Sequence, residues 1–269
     1  MAKSPCPRTI FVRHGQTEWS KSGQYTSITD LPLTEFGVNQ MRKTGKLLFS
    51  TGFIDPNHIT YIFTSPRKRA LQTVKLILES LDEETKKHIK IIVDNDLREW
   101  EYGDYEGLLT QQIKDLRKSR NLPIADDWLI WRDGCENGEA TKQIGLRLSR
   151  FIARVQNLQK IAIEENKPCD ILCFAHGHTL RYFASLWFKS NTKEELIDST
   201  TPAYVKSYDD DTVPVVEIEK FRYLDQNPNF LLDAGGVGVL SYGHHDINEP
   251  SLSLSGAFVI PPEEESEHQ

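Results

Sequence analysis

A chain of 269 residues, 38% hydrophobic and 26% charged, is long enough to bury a sizeable core as one large domain or two small ones. Its 32 Lys and Arg against 39 Asp and Glu leave a formal net charge of −7, which disfavours nonspecific nucleic-acid binding and makes any anionic ligand depend on a local cationic pocket. No run approaches the roughly 18 apolar residues of a membrane span, and MAKSPCPRT has no apolar leader segment, so neither a span nor a secretory signal is expected.

In chain order, TIFV predicts a first strand that exits into Arg13-His14-Gly15. LTEFGVNQMRKTGKLLFS has helical spacing with Thr34 as N-cap. ITYIFTS predicts a second strand, and SPRKRALQTVKLILESL a helix with Ser65 as N-cap and Pro66 at its first position. KIIV is a further strand. From Trp100 to Asn137 the chain is rich in aromatics, Asp and Gly, and reads as a lid-like insertion at about 100–137. EATKQIGLRLSRFIARVQNLQKIAI is a long amphipathic helix; DILCFA is a strand that passes through a glycine into the helix GHTLRYFASLWF; TVPVVEIE is a late strand. GGVGVLSYG superficially resembles a dinucleotide fingerprint but lacks the third glycine in register and follows no βαβ opening. PPEEESEHQ, residues 261–269, predicts an acidic disordered tail.

Strands alternating with helices imply an α/β fold: three α/β/α layers around a mainly parallel sheet, with residues 1–260 as one domain. Cys6, Cys135, Cys169 and Cys173 form no C-x-x-C pair and suit reduced side chains in a reducing compartment, the cytoplasm, with the nucleus not separable from it.

Ligands of such sheets bind at the carboxyl ends of strands. RHG follows one strand end, TSPRKR a second and AHGH a third. Phosphoryl transfer needs a nucleophile, cations for the equatorial oxygens and an acid for the leaving oxygen. His14 is a candidate nucleophile because a neutral imidazole is available near pH 7. Arg13 offers a planar fork of donors, and Arg69 lies in the first turn of a helix, where an anion is favoured. His176 leaves the strand DILCFA, and DLREWEYGDYEG supplies Glu99, Glu101 and Glu106 as candidate acids. His176 and His178 form an H-x-H pair without an accompanying Asp or Cys constellation, so no metal and no cofactor is expected.

RHG at 13–15, TSPRKRA at 64–70 with Thr73 beyond, LREWEYG at 97–103 and AHGH at 175–178 resemble, in this order, the signatures of the histidine phosphatase (phosphoglycerate mutase-like) superfamily. The resemblance implies transient phosphorylation of His14, with Arg13, Arg69 and His176 completing a cationic pocket. It also implies that Glu99 protonates the leaving oxygen and later activates water. Gly15 is expected to let phosphate approach the backbone.

RHGQTEWSKSGQY, FTSPRKRALQTV, WRDGCENGE, FAHGHTLRYF, KSYDDDTVP and LLDAGGVGVLSY extend the similarity over essentially the whole chain to a fungal sugar-bisphosphatase branch. That implies metal-independent hydrolysis of sedoheptulose 1,7-bisphosphate to sedoheptulose 7-phosphate, feeding ribose phosphate synthesis, with fructose 1,6-bisphosphate a lesser substrate. Phosphoglycerate mutase activity and a catalytically silent phospho-ligand binder are the alternatives. Expected substrate contacts are Gln24, Tyr25, Thr26, Ser65, Tyr102 and Gly177, with Arg181 and His244 toward the distal phosphate. The expected partner is a small-molecule sugar bisphosphate, with no nucleic acid and no membrane; self-association and sugar chain length are left open.

Two positions depart from relatives of the mutase type. Ser20 stands where they carry Asn, and Ser27 where glycine is expected, so Ser27 should narrow the pocket or strain a turn needing positive φ.

Overall fold

The computed structural model describes residues 4–122, 128–188, 204–206, 212–214 and 231–253. Its first half contains β1 (Arg8–Arg13), α1 (Glu18–Ser22), α2 (Glu35–Ser50), β2 (Ile59–Thr64), α3 (Lys68–Leu78), α4 (Glu83–His88), β3 (Lys90–Val93) and α5 (Thr110–Ser119). Then come α6 (Ile130–Asp133), α7 (Thr141–Glu164), β4 (Asp170–Ala175), α8 (Gly177–Trp187), β5 (Tyr204–Lys206), β6 (Thr212–Pro214), β7 (Val237–Tyr242) and β8 (Pro250–Ser253).

Six strands form one sheet in the order β3-β2-β4-β1-β7-β8. The first four are parallel, and β7 and β8 add an antiparallel edge. The strand pair β5–β6 is separate. Alternation along the strands sends side chains to two cores. Ile10, Val12, Ile62, Leu172 and Phe174 pack with Met41 of α2 and Val74 and Ile77 of α3. On the opposite face Phe11, Phe63, Ile171 and Cys173 pack with Phe151 of α7 and Phe183 of α8. The result is a three-layer α/β/α fold around a mostly parallel sheet.

Local signals explain most element ends. The Thr34 side chain accepts the Gly37 N–H and starts α2 as the sequence predicts. The helix predicted to start at Ser65-Pro66 instead starts at Lys68, with Arg67 at the cap position. Ser65 is drawn away because its Oγ serves a histidine, described below, and accepts the Arg67 N–H at 3.3 Å. The insertion holds α5 and α6 and no strand among its described residues. Its Trp100, Tyr105, Trp128 and Trp131 are buried in the same core as β4 and α7. Strands β7 and β8 are absent from the sequence reading, because Gly235, Gly236 and Gly238 look like turn punctuation. Of TVPVVEIE only Thr212–Pro214 is described, and the tail at 261–269 lies outside the described residues. The four cysteines are free thiols, and no helix among the described residues is long and apolar enough to cross a membrane.

Topology places the site. In the β1–β4 pairing Arg13 lies opposite Ala175, so the chain after each strand emerges side by side at one edge of the sheet. On the other flank of β4, Thr64 of β2 lies opposite Phe174 and brings Ser65 and α3 to the same edge.

Candidate active site

His14 leaves β1 buried, at 5% exposure. Its Nδ1 lies 2.8 Å from the Gly15 carbonyl, which can only accept, so Nδ1 carries the proton and Nε2 keeps its lone pair. Burial, then the charges of Arg69 and Arg13, push its pKa well below the ordinary histidine value. The ring is therefore neutral and nucleophilic at Nε2. Gly15 is small for a packing reason: a Cβ there would lie 2.7 Å from Met41 Cγ and 2.9 Å from the Gly37 carbonyl oxygen. The Gly15 N–H donates to Thr73 Oγ1 at 3.1 Å, tying the turn to α3.

Arg13 donates through Nη1 to the Leu232 carbonyl at 2.6 Å and lies against Gly177, where a Cβ would stand 3.2 Å from its Cζ. Its Nε is buried and has no partner among the described residues.

Arg69 is fully buried and sits behind His14. Its Nε donates to His176 Nδ1 at 3.1 Å, Nη1 to the Thr29 carbonyl, and Nη2 to the carbonyls of Thr26 and Ser27. A guanidinium cannot accept, so His176 Nδ1 is the acceptor, and its Nε2 donates to Ser65 Oγ at 2.7 Å. Burial and the neighbouring Arg69 hold His176 well below its ordinary pKa. Its ring centroid lies 5.2 Å from that of His14, as a neutral ring rather than the cationic member of the pocket that the resemblance implied.

Glu106 anchors the loop that Arg69 grips. Its carboxylate accepts the N–H groups of Ser27 and Thr29 and the Ser27 hydroxyl, the last at 2.6 Å. Ser27 Oγ in turn accepts the Tyr102 N–H at 3.2 Å. The expected strain is not found, since Ser27 has no positive φ and does not line the cavity. Ser20 caps α1 reciprocally with Thr17.

Glu99 faces the N-terminus of α8, where unpaired N–H groups favour a carboxylate. Oε1 accepts from Trp100 and Thr179, both at 2.9 Å, and Oε2 from the His178 N–H at 3.1 Å. Burial alone would raise its pKa, but the His178 side chain and the three N–H groups outweigh it and the net shift is downward. Glu99 is a carboxylate at neutral pH.

A cavity of about 340 Å³ joins these groups. Of the residues anticipated from sequence, Arg13, His14, Gln24, Tyr25, Thr26, Glu99, Tyr102, Gly177 and Arg181 line it. Arg69, His176 and Ser65 form the layer behind His14. The Arg181 guanidinium lies 4.8 Å over the Trp131 ring. His244 is not brought to the cluster: it sits on the turn after β7 with its side chain 89% exposed and Nδ1 2.6 Å from Glu249. Sequence reasoning missed Thr17, Thr110, Asp233 and the Leu232 carbonyl. The last two come from a segment whose chemistry is in the backbone and in a single common acid. His178, which the sequence offered only as half of an H-x-H pair, also lines the cavity. No group of three or more His, Cys, Asp or Glu side chains among the described residues is arranged to hold a metal ion.

A family model described as histidine phosphatase superfamily (branch 1) matches residues 9–215. The chain is 61% identical over 263 residues to sedoheptulose 1,7-bisphosphatase of Saccharomyces cerevisiae, covering 97% of each. It is 34% identical over 180 residues to an acid phosphatase of Mycobacterium tuberculosis, covering 67% of this chain and 75% of that one. Among solved structures, an open reading frame product of M. tuberculosis gives a TM-score of 0.61 at 28% identity, covering 92% of this chain and 95% of that one. The alpha-ribazole phosphatase of Shigella flexneri gives 0.61 at 19% identity, a likeness of fold alone. The family match takes in all three strand ends that converge on His14 and reaches past them to Glu99 and α8, and on it the chain belongs to the histidine phosphatase superfamily and is a phosphatase.

Proposed function

We propose that this phosphatase removes the 1-phosphate of sedoheptulose 1,7-bisphosphate through a phosphohistidine on His14, releasing sedoheptulose 7-phosphate and inorganic phosphate. The observation that carries the substrate is the 61% identity, over 97% of both chains, to a protein named for that activity. The geometry around His14 is what such a mechanism requires. Nε2 attacks phosphorus, the P–O bond to the sugar breaks, and a proton from Glu99 goes to the leaving oxygen. Arg13 and the guanidinium of Arg69 neutralise the transferring group. Water then attacks phosphorus, the P–N bond breaks, and Glu99 takes the water's proton.

Glu99 is a carboxylate in the protein alone, so it must gain its proton with the substrate. An entering phosphate places negative charge beside it, which raises its pKa, and a phosphate monoester with a second pKa near 6 brings a proton of its own. His176 fixes Arg69 from behind rather than supplying charge.

We take residues 1–260 as one catalytic unit, supported by Leu232 and Asp233 lining the same cavity as His14. Four free thiols suit a cytoplasmic setting, where the product would feed ribose phosphate synthesis. Fructose 1,6-bisphosphate is the expected lesser substrate, since it offers the same two charged ends.

The test is phosphate release from ketose bisphosphates by wild type and His14→Ala, with the protein quenched and assayed for acid-labile phosphate. Wild type should favour the seven-carbon ester and carry label; His14→Ala should do neither. Full turnover by His14→Ala would exclude the nucleophile, and a preference for another ester would replace the substrate.

A further inference from the structure

One ring of the cavity is left unused by this mechanism. His178, the second residue of α8, lines the cavity beside Glu99, to which its backbone N–H donates at 3.1 Å. Three aromatic contacts and a hydrogen bond fix the ring. Tyr25 stacks on it at 5.4 Å and 24°, Trp131 lies 5.1 Å away, and Tyr102 meets it edge-on at 5.7 Å with its hydroxyl 2.7 Å from Nδ1.

That hydroxyl decides the tautomer. Tyr102 is buried, and burial followed by the nearby Glu99 carboxylate raises its pKa well above the ordinary phenol value, so the phenol keeps its proton. A phenol can donate or accept, but this buried hydroxyl has no acceptor other than Nδ1 among the described residues, so we assign its O–H as the donor to Nδ1, which leaves the imidazole proton on Nε2. Burial pushes the His178 pKa down to about 4, against the pull of Glu99 and with help from Arg181 and Arg13. The ring is thus neutral. Its Nε2–H has no protein partner among the described residues and is not among their sealed, unpartnered atoms. A donor that is fixed in direction, uncharged and unspent at the wall of a polar cavity is built for a neutral acceptor on a ligand.

We propose that His178 is a specificity-determining residue whose Nε2–H donates to the sugar oxygen on C2, the carbon next to the one that bears the leaving oxygen, with Tyr102 as the positioning residue that sets its tautomer. The proposal rests on the hydrolysis of a sugar phosphate at this site. It follows from adjacency: Glu99 serves the leaving oxygen, and His178, whose backbone N–H holds Glu99, lines the same cavity, so the next oxygen of a polyol chain falls to the ring. The Tyr25 face supplies an apolar wall for sugar C–H groups. An aryl phosphate has no such oxygen and gains nothing from the donor.

The test compares kcat/KM on sedoheptulose 1,7-bisphosphate and on p-nitrophenyl phosphate for wild type, His178→Phe, His178→Gln and Tyr102→Phe. Phe keeps a flat ring and loses the donor; Gln restores an N–H at similar reach. For His178→Phe the loss on the sugar ester should exceed the loss on the aryl ester by about tenfold to hundredfold, with His178→Gln recovering most of that gap. Tyr102→Phe should open a smaller gap, since Nδ1 then competes for the proton. Equal losses on both esters, or no loss, or a gap that His178→Gln leaves untouched, would overturn the proposal. The aryl ester reports that each variant is folded and competent. A wild type that spares sedoheptulose 1,7-bisphosphate but cleaves fructose 1,6-bisphosphate overturns the substrate reading alone, and the gap is then read on that ester; a wild type that cleaves neither overturns both.

Discussion

Glu99 and Ser27 are the two side chains whose identities mean more in the fold than in the sequence. Glu99 stands in a run with Glu101 and Glu106, and the three letters are equivalent in a linear reading; family resemblance, not chemistry, chose among them. The fold separates their environments. Glu99 sits under the α8 N-terminus, Glu106 is spent on the 27–29 loop, and only Glu99 of the three reaches the cavity. If Glu99 supplies the proton to the leaving oxygen, Glu99→Gln should lower kcat on a sugar ester by about 10²–10⁴-fold. It should cost far less on p-nitrophenyl phosphate, whose leaving group departs unprotonated. Comparable losses on the two esters would argue that Glu99 shapes the site instead. Ser27 shows the converse. Its hydroxyl reads as an intrusion where glycine is expected, but it is directed away from the cavity and bridges Glu106 to the Tyr102 N–H.

At the scale of elements, strand pairing does what no single segment announces. β1 was legible because Thr-Ile-Phe-Val is β-branched and apolar, and β4 because Asp-Ile-Leu-Cys-Phe-Ala is buried on both faces. β7 was not, since Val-Gly-Val-Leu with flanking glycines signals a turn more strongly than a strand. The register supplies the reason for one of those glycines. Gly238 lies opposite Phe11 of β1, and a Cβ there would stand 2.2 Å from Phe11 Cζ. Gly238→Ala should therefore destabilise the protein by about 1–3 kcal/mol, read as a lower urea midpoint with an unchanged slope. An unmoved midpoint would mean that Phe11 relaxes freely. The shifted start of α3 has the same origin: Ser65 would cap that helix by local rules, but the hydrogen bond with His176 claims its hydroxyl.

For the whole molecule, burying three histidines at one edge of the sheet ties stability to pH. His14, His176 and His178 all have folded pKa values below the ordinary value near 6.5 that they regain on unfolding. Below that value the unfolded chain binds protons that the folded protein refuses, so the stabilisation is full above about pH 6.5 and is lost as pH falls toward the folded values. Each histidine contributes a slope of about 1.4 kcal/mol per pH unit where it is fully linked. Urea unfolding between pH 7.5 and pH 5 should show stability falling through that window, and His176→Asn should flatten the fall by up to one proton. A curve flat over the same interval would mean that the three rings are protonated in the folded state. The sequence by itself determined the alternation of strands and helices, the motifs that bring His14 and its arginines forward as candidates for phosphoryl chemistry, and the family, because periodicity and short motifs are local and survive without coordinates. Only the tertiary structure decided which acid meets the cavity, that His176 is a neutral brace for Arg69, that His178 faces the ligand space and that His244 does not. Those outcomes depend on desolvation and on hydrogen-bond partners many tens of residues away, and neither is written in the neighbours of a residue along the chain.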